Sequence, residues 1–499
     1  MKARYSLCII SALAVSLSAS GQVPRQLVDP SRGSSATVFG EMEGGGFRSG
    51  YAASSLWKAG AKASSSGVYG KTLLAGSFSF EEMRGKDMMT SVFTSPGYYP
   101  IDVLEFTPGD KTMQTYAFTG GILHPLSDRI SAGAFVDYSA GNYSKRKDIR
   151  HTNYSTGLSL SPTMVYNGDG MRIAASLIFR KTAESIEAEQ IGTATADTYY
   201  AFLDKGLRYG SYQAWDGSGI HLAEAGINRL PVKEFSGGGA LRFDIKGTSV
   251  EFGYLRSSGT VGEKGYDWFR FPGNRFSARI SRKSLIPAWG DNKLEINASS
   301  LSQTLEEAVI DKVSEGGVTL PVIYGYNRVS WRRISTVSVI YDIRTHDFGL
   351  LNSARILFSA NFDDEQSSLT YPYTDEFHGS NYTAGASVTL YDKRKAVWDR
   401  FLLTIGGHYR SGNSFERGLR SSEPDVTASE PFRLIGDWER KKEWMTSPRI
   451  GLEASLRYIF TSVKGLSVSL EGEWLHGLDV VLLPGTERFR GTIKLDYSL

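Results

Sequence analysis

The chain has 499 residues, of which 41% are hydrophobic and 12% aromatic, and its formal net charge at pH 7 is +3. A charge so close to balance gives no support for nucleic-acid binding. After the N-terminus, no stretch approaches the ~20 consecutive apolar residues that a membrane-spanning helix requires, so insertion by helices is excluded.

The N-terminus predicts a cleaved secretory signal in residues 1–20. Lys2 and Arg4 precede an apolar run from Leu7 to Leu17, and small residues follow that run. Cys8, the only cysteine, lies in the run and lacks the small preceding residue of a lipoprotein signal. The mature chain would therefore contain no cysteine, which excludes disulfides, thiolate metal sites and thiol nucleophiles.

Residues 21–55 are predicted to form an N-terminal segment with two possible roles. The Gly-rich stretch from Ala36 to Arg48 is either a first strand or a piece that lies inside a pore. Regular alternation begins with the hairpin of Leu56–Ala63 and Leu73–Phe80. We therefore assign residues 56–499 to a β-barrel.

From this hairpin to the C-terminus, apolar and polar side chains alternate in many segments. In the last segment, Arg488 to Leu499, apolar residues and one glycine alternate with charged and hydroxyl residues. A period of two with one apolar and one polar face predicts strands that separate two environments. A soluble sandwich would alternate as well, but the export signal favours a membrane barrel. Similar segments are Met171–Arg180, Arg275–Ser281, Lys293–Ala298, Ala354–Phe362, Arg449–Tyr458 and Leu466–Trp474.

The connections between these segments alternate in length. Short turns such as Asn167–Gly170 are followed by long connections such as Thr182–Val232, Ser258–Asn274, Gln303–Arg333 and Ser411–Met445. This pattern predicts an all-β fold: a transmembrane antiparallel β-barrel of about 16 to 18 strands with short periplasmic turns and long extracellular loops. The expected location is the cell outer membrane, after signal-directed export.

Several short stretches resemble a known group of proteins. They are SLWKAGAKA followed by LLAGSFSFEE, the stretch GYYPIDVLEFTPG, and a final strand with alternating aromatic residues. In these features the chain resembles uncharacterised outer-membrane β-barrel proteins of Bacteroidota, over essentially the whole mature chain. The resemblance implies location and architecture and carries no substrate.

Charged residues recur on the polar side of the alternation, which faces the lumen in this prediction. A barrel of low dielectric cannot bury such charges unpaired, so they either form ion pairs across a closed lumen or line water. In a hydrated lumen they would orient polar solutes and slightly favour anions. The candidates for lining the lumen are Arg172, Arg180, Arg242, Arg279, Arg355, Arg449, Arg457, Arg490, Glu295, Glu453, Glu471, Glu473 and Asp496.

Aromatic and basic residues give two further expectations. Tyrosine and tryptophan near strand ends on the apolar side are interpreted as membrane-interface girdles: Tyr138, Tyr154, Tyr166, Tyr254, Tyr409, Tyr458, Trp474 and Tyr497. Basic clusters at 145–147 and 440–442 lie in proposed outer loops. They bind lipopolysaccharide phosphates or are simply solvated loop charges.

The best catalytic candidate is the sequence around His378, Ser380 and Asn381. It is similar to the His-x-Ser-Asn pattern of outer-membrane phospholipases, but Tyr382 stands where that family has glycine. A histidine at a loop-to-strand junction is usually a solvated polar residue. We therefore expect no catalytic residues, and we also expect no metal site and no cofactor, since no His-Glu-x-x-His arrangement occurs.

Three functions remain, in order of preference. The first is a porin-like channel or facilitator for small hydrophilic solutes. The second is a closed barrel that acts as a surface receptor or interaction scaffold through its long loops, with an unknown partner besides outer-membrane lipid and lipopolysaccharide. The third is an outer-membrane lipolytic enzyme.

Overall fold

The computed structural model describes most of the chain after residue 20. No helix in this part is long and apolar enough to cross a membrane. The predicted signal in residues 1–20 lies outside the described residues. These are 21–30, 33–147, 149–188, 199–216, 219–222, 225–227, 229–263, 266–284, 291–315, 318–348, 351–372, 374–391, 401–418 and 429–499.

The described residues form two helices and 22 strands, and every pairing between strands is antiparallel. The helices are α1 (Arg25–Val28) and α2 (Ser429–Thr446). The strands are β1 (Gly33–Gly45), β2 (Ser55–Tyr69), β3 (Thr72–Ser91), β4 (Asp102–Pro125), β5 (Ile130–Lys145), β6 (His151–Gly168), β7 (Met171–Ala188), β8 (Tyr199–Asp204), β9 (Gly210–Asp216), β10 (Gly219–Leu222), β11 (Ala225–Ile227), β12 (Arg229–Ile245), β13 (Thr248–Glu263), β14 (Tyr266–Lys283), β15 (Asp291–Glu315), β16 (Val318–Phe348), β17 (Leu351–Leu369), β18 (Asp375–Tyr391), β19 (Phe401–Gly418), β20 (Arg449–Ile459), β21 (Leu466–Gly477) and β22 (Glu487–Ser498).

Eighteen of these strands, β1 to β7 and β12 to β22, close into one ring. The last strand closes the barrel, because β22 pairs with β1 as well as with β21 and sets Tyr497 opposite Ala36. The ring begins at Gly33, so the barrel includes residues that the sequence assigned to a segment ending at 55. Strand β1 is rich in glycine and serine. It therefore has too few apolar side chains to show a clear alternation in the sequence.

The outer wall of the ring is apolar. Leu177 on β7, Phe252 on β13 and Phe276 on β14 expose 59%, 55% and 58% of their surface. Exposed apolar side chains on every second residue of paired strands are typical of a barrel that faces lipid. The proposed girdle residues Tyr138, Tyr154, Tyr254, Tyr409 and Tyr497 are exposed on the same face.

The two rims of the barrel differ. At the turn end, the connections are short, for example residues 70–71, 169–170 and 246–247. At the loop end, they include residues 46–54, 92–101 and 478–486, and the segment that holds α2.

Two predicted long loops at the loop end are mostly strand. Strands β13 and β14 continue to Glu263 and from Tyr266, and strands β15 and β16 continue to Glu315 and from Val318. Above the apolar band the outward face of these strands meets water, while the inward face packs in part on an apolar core that buries Val261, Phe271 and Leu305. The pattern of apolar residues on the outer face, which marks a strand in the sequence, is therefore lost there.

The largest apolar core fills the loop end of the barrel. Loop 92–101 and hairpin β8–β9 turn inward and pack against the walls. We call loop 92–101, hairpin β8–β9 and helix α2 the loop-end plug. The core residues are Val92, Phe93, Tyr99, Ile101, Val103, Ile149, Ile186, Ala201, Leu203, Leu230, Val232, Val261, Trp268, Phe269, Phe271 and Leu305.

Candidate functional site in the barrel lumen

At the turn end, residues 21–30, here called the inner segment, lie against the barrel wall. Arg172 of β7 donates from Nη2 to Asp29 at 2.7 Å and from Nη1 to the Val28 carbonyl at 2.7 Å. Arg242 of β12 donates to the other carboxylate oxygen of Asp29 at 2.5 Å. Burial alone would raise the pKa of Asp29, but the hydrogen bonds and charges of the two arginines outweigh it and lower the pKa from its ordinary 3.8. The ion pairs of Asp29 with Arg172 and Arg242 therefore hold the inner segment against the wall.

Closer to its start, the inner segment contacts strands β13 and β14. The Val23 amide donates to Glu251 Oε1 at 2.7 Å, and the Ser277 hydroxyl donates to the Gly21 carbonyl at 3.1 Å. A Cβ atom at Gly253 would lie 1.5 Å from that same carbonyl oxygen, so only glycine admits the segment here. Val23 and Val28 also bury their side chains against Val165, Ala174, Ile178, Ala240 and Leu255.

At the loop end, loop 92–101 is fastened to the wall by polar contacts. The amide and hydroxyl of Thr94 donate to Glu184 Oε1 at 2.8 and 2.7 Å, and the Tyr98 hydroxyl donates to Glu234 Oε2 at 2.7 Å. Arg332 donates to the Gly97 carbonyl at 2.9 Å. Burial and the Glu234 carboxylate raise the pKa of Tyr98 to about 12, so its phenol remains a donor at neutral pH.

Helix α2 joins the loop-end plug through a buried charge pair. Arg208, in the turn between β8 and β9, binds Asp437 of α2 through Nε at 3.0 Å and also contacts Asp204. The Thr90 hydroxyl donates to Asp437 at 3.1 Å. Burial opposes the charge on Arg208, but the two carboxylates outweigh it and raise its pKa, so the guanidinium stays charged. The Trp438 ring packs against Phe377 with centroids 5.0 Å apart.

Most of the charged candidates for the lumen have ion-pair partners on neighbouring strands. Arg279 lies 2.8 Å from Glu295, Lys494 lies 2.6 Å from Glu471, and Arg490 contacts Glu473. Further pairs are Arg355 with Asp342 at 2.8 Å and Arg457 with Asp496 at 3.7 Å. Arg172 and Arg242 also contact Asp244. Glu453 lies near Glu473 and Arg490 without an ion pair to a described residue. Charges paired in this way neutralise each other, so they leave little net charge to act on a solute in the lumen.

Arg449 differs from these because it lies in the loop-end region rather than beside a carboxylate. It is buried, with its guanidinium 4.4 Å from the centroid of the Trp444 ring and 5.6 Å from that of Phe47. Cation–π contact of this geometry holds the charge against two rings. The residue therefore tethers α2 to the barrel.

Two arginines below loop 92–101 have no ion-pair partner among the described residues. They are Arg180 of β7 and Arg275 of β14, which interact electrostatically with each other and with Tyr98. Both are partly exposed, and Asp137 on the same inward side is exposed as well. Exposed inward charges indicate that this depth of the lumen holds water. Arg275 was not among the sequence candidates, although it lies two residues from Ser277 on the polar side of the same strand.

The three residues of the catalytic candidate do not share one face of β18, because His378 and Ser380 lie on one face and Asn381 lies on the other. His378 Nε2 lies 2.5 Å from Asp364 Oδ1, and both His378 and Tyr382 are exposed on the outer face. Asn381 is buried on the opposite face, where it cannot assist a reaction at Ser380. Among the described residues, no group of three or more His, Cys, Asp or Glu side chains could hold a metal ion.

The two basic clusters are only partly available to ligands. Lys145 is fully buried against Glu105, which also pairs with Lys111 at 2.7 Å, so only Arg146 and Lys147 of the first cluster are exposed. In the second cluster, Lys441 lies 3.0 Å from Glu365 and Lys442 lies 3.1 Å from Glu416. The pairing of Lys145 and Lys441 could not be seen in the sequence, because their carboxylate partners lie 40 and 76 residues away along the chain. Lys442 also pairs with Glu439 of the same helix at 2.6 Å.

Comparison with known proteins adds the following. No curated protein matches the chain. Among solved structures, the chain is similar to the FrpB iron transporter from Neisseria meningitidis, with 8% identity, 95% of this chain and 83% of that chain covered, and a TM-score of 0.44. It is also similar to the RagAB peptide transporter (8%, 94% and 75%, TM-score 0.42) and to the siderophore receptor PirA from Acinetobacter baumannii (9%, 94% and 81%, TM-score 0.38). The model of a family of unknown function, DUF6850, matches residues 24–499, and the chain belongs to this family.

Proposed function

We propose that this chain is an outer-membrane β-barrel that is closed at rest and acts as a receptor at the cell surface. The apolar outer wall and the export signal predicted in residues 1–20 support this location. The resemblance to barrel proteins of Bacteroidota supports it too. Short turns face the periplasm in such barrels, so the turn end would lie inside and the loop end outside.

The loop-end core is the observation that carries this proposal. Its members come from loop 92–101, from hairpin β8–β9 and from the surrounding wall, and Phe93, Phe271 and Leu305 are at most 1% exposed. A stable ion path requires continuous water, which a packed apolar core excludes. This core favours the closed receptor over the open porin-like channel that the sequence placed first.

The outer surface also carries an ordered apolar feature that suits recognition. Glu443 of α2 accepts three hydrogen bonds, from the amides of Val481, Leu482 and Leu483, at 2.5, 2.8 and 2.7 Å. Val481 and Leu482 nevertheless expose 84% and 49% of their surface. A loop whose backbone is fixed while its apolar side chains face water loses little entropy when it binds a partner.

A second candidate function is passage of a small hydrophilic solute. The part of the lumen around Arg180, Arg275 and Asp137 favours such passage, because arginines without an ion-pair partner among the described residues would attract an anionic solute. Passage would require the loop-end plug and the inner segment to move aside. The barrel would then open only on a signal.

Surface labelling tests the location and orientation together. The mature chain would lack cysteine, so single cysteines can be placed at Val481 at the loop end and at Tyr69, which is 83% exposed at the turn end. In intact cells, a membrane-impermeant maleimide should label Val481→Cys and leave Tyr69→Cys unlabelled until the cells are broken. Labelling of Tyr69→Cys alone would reverse the orientation, and recovery of both variants in the soluble fraction would end the proposal.

A further inference from the structure

A polar groove lies on the outer face of strands β3 to β6, at the margin of the apolar band. Toward the turn end, this face carries two rows of aromatic side chains that pair across the strands. Ring centroids are 4.9 Å apart in Phe78–Phe118, 6.4 Å in Phe118–Tyr138 and 5.0 Å in Phe80–Tyr116. Aromatic rows of this kind mark the membrane interface of a barrel.

The character of the surface changes within two residues along each strand. The next outward row toward the loop end is Glu82, Gln114, Asn142 and Tyr154, and the row after it is Arg84, Thr112, Ser144 and Thr152. These eight residues and Arg146 line a groove of about 410 Å³. The groove thus begins where the aromatic rows end.

Two arginines make the groove basic at its upper side. Arg84 exposes 67% of its side chain, and its Nε and Nη2 atoms both donate to one oxygen of Glu82, at 2.9 and 2.7 Å. Arg146 is exposed at the rim. Glu82 fixes the guanidinium of Arg84, and the remaining donors of Arg84 point to solvent-accessible space.

Uncharged donors and acceptors cover the floor of the groove. The hydroxyls of Thr112 and Ser144 lie 2.9 Å apart, and Asn142 Nδ2 donates to Gln114 Oε1 at 3.4 Å. Amide and hydroxyl groups beside an exposed tyrosine ring, here Tyr154, are the surface that sugar rings bind.

We propose that this groove binds the phosphorylated sugar headgroup of an outer-leaflet glycolipid. Its phosphate would accept hydrogen bonds from Arg84 and Arg146, its sugar would lie on the polar floor, and its acyl chains would extend along the aromatic rows. A free phosphate would leave the floor and the aromatic rows unused, which favours the lipid. The proposal depends on the outer-membrane location, but it concerns a site outside the lumen.

The experiment measures binding of purified protein in detergent micelles, so its result is independent of the cell-surface labelling. The probes are short-sugar lipopolysaccharide, the same lipid after removal of its phosphates, and inorganic phosphate as a competitor. The variant Arg84→Gln with Arg146→Gln removes both groove arginines. The matched control, Lys233→Gln with Arg256→Gln, removes two exposed basic side chains from the outer face of β12 and β13.

We expect the groove variant to bind short-sugar lipopolysaccharide roughly tenfold or more weakly than wild type, and the control to change binding by less than about twofold. Dephosphorylated lipid should bind wild type as weakly as the intact lipid binds the groove variant. Equal weakening in both variants, or unchanged binding in the groove variant, would overturn the proposal. Competition by millimolar inorganic phosphate would also overturn it, because the site would then be a phosphate site that needs no lipid. Slower gel migration after boiling checks that each variant is folded.

Discussion

Arg172 and Asp29 lie 143 residues apart in the chain, yet their side chains meet in an ion pair of 2.7 Å on the inner wall of the barrel. This pair, together with Arg242, fixes the end of the inner segment at the turn end. These contacts link the start of the described chain to β7 and β12. The position of the inner segment should therefore depend on the Asp29 carboxylate.

The first prediction concerns this carboxylate. A spin label on Gln26→Cys, an exposed position on α1, should be immobile in the wild-type background. Asp29→Asn should add a mobile component, because the substitution removes charge-assisted hydrogen bonds worth about 1 to 3 kcal/mol each. The measurement is the electron paramagnetic resonance spectrum of the folded protein in detergent. An unchanged spectrum would show that Asp29 does not hold the segment.

The same label gives a pH prediction. The pKa of Asp29 is lowered from 3.8 in the folded protein, so its contribution is complete above pH 3.8 and is lost as the pH falls through the lowered folded pKa. The mobile component should therefore appear below pH 3.8 in the otherwise wild-type protein. In the Asp29→Asn background the mobile fraction should not change over that pH range, and a parallel rise in both proteins would assign the effect to other groups.

Sequence reasoning succeeded where the two faces of a strand meet different solvents. Arg488 to Leu499 was predicted to be a strand from its alternation, and in the structure it forms β22, which pairs with β1. Alternation gives no clear signal in β15 and β16 near residues 303–333, because the outward face meets water there and Leu305 packs inward on the loop-end core, and these strands were mistaken for a loop. Helix α2 was missed within another predicted loop, although Leu434, Trp438 and Met445 recur at helical spacing.

A second prediction tests the close approach at Gly253. Gly253→Ala would place a Cβ atom against the Gly21 carbonyl, so the inner segment must move and the spin label at residue 26 should become mobile. Gly491→Ala is the matched control, since a Cβ atom at that strand glycine meets no atom within 4 Å. Equal spectra for the two variants would mean that the segment does not lie against β13.

A third prediction concerns the link between hairpin β8–β9 and helix α2. Arg208→Leu leaves Asp437 buried without its partner, which costs about 3 to 5 kcal/mol for a buried ion pair. The helix should detach, and trypsin should then cleave after Arg440, Lys441 or Lys442 in the folded protein. Mass spectrometry of the fragments gives the cleavage sites.

The control for this prediction is Lys464→Leu, an exposed basic residue in the turn between β20 and β21. It should leave the helix protected. Protection of α2 in Arg208→Leu as complete as in this control would show that Asp437 is satisfied without Arg208.

The contents of the lumen lie beyond what the sequence reveals, because they depend on contacts between distant parts of the chain. Tyr98 and Glu234 are 136 residues apart, and neither local sequence predicts the hydrogen bond between them. The sequence placed Arg279 and Glu295 on the polar side of their strands, but it left open whether such residues form ion pairs or line water; in the structure the two side chains lie 2.8 Å apart. Only the register of the strands decides between these alternatives.

The central claim is that the loop-end plug closes the barrel, and planar-bilayer conductance tests it most directly. Folded wild-type protein should insert and give no stable current, whereas a variant with residues 92–101 replaced by a glycine–serine segment of equal length should conduct, because the apolar core around Phe93 and Tyr99 is lost. A steady single-channel current from folded wild-type protein would contradict the account.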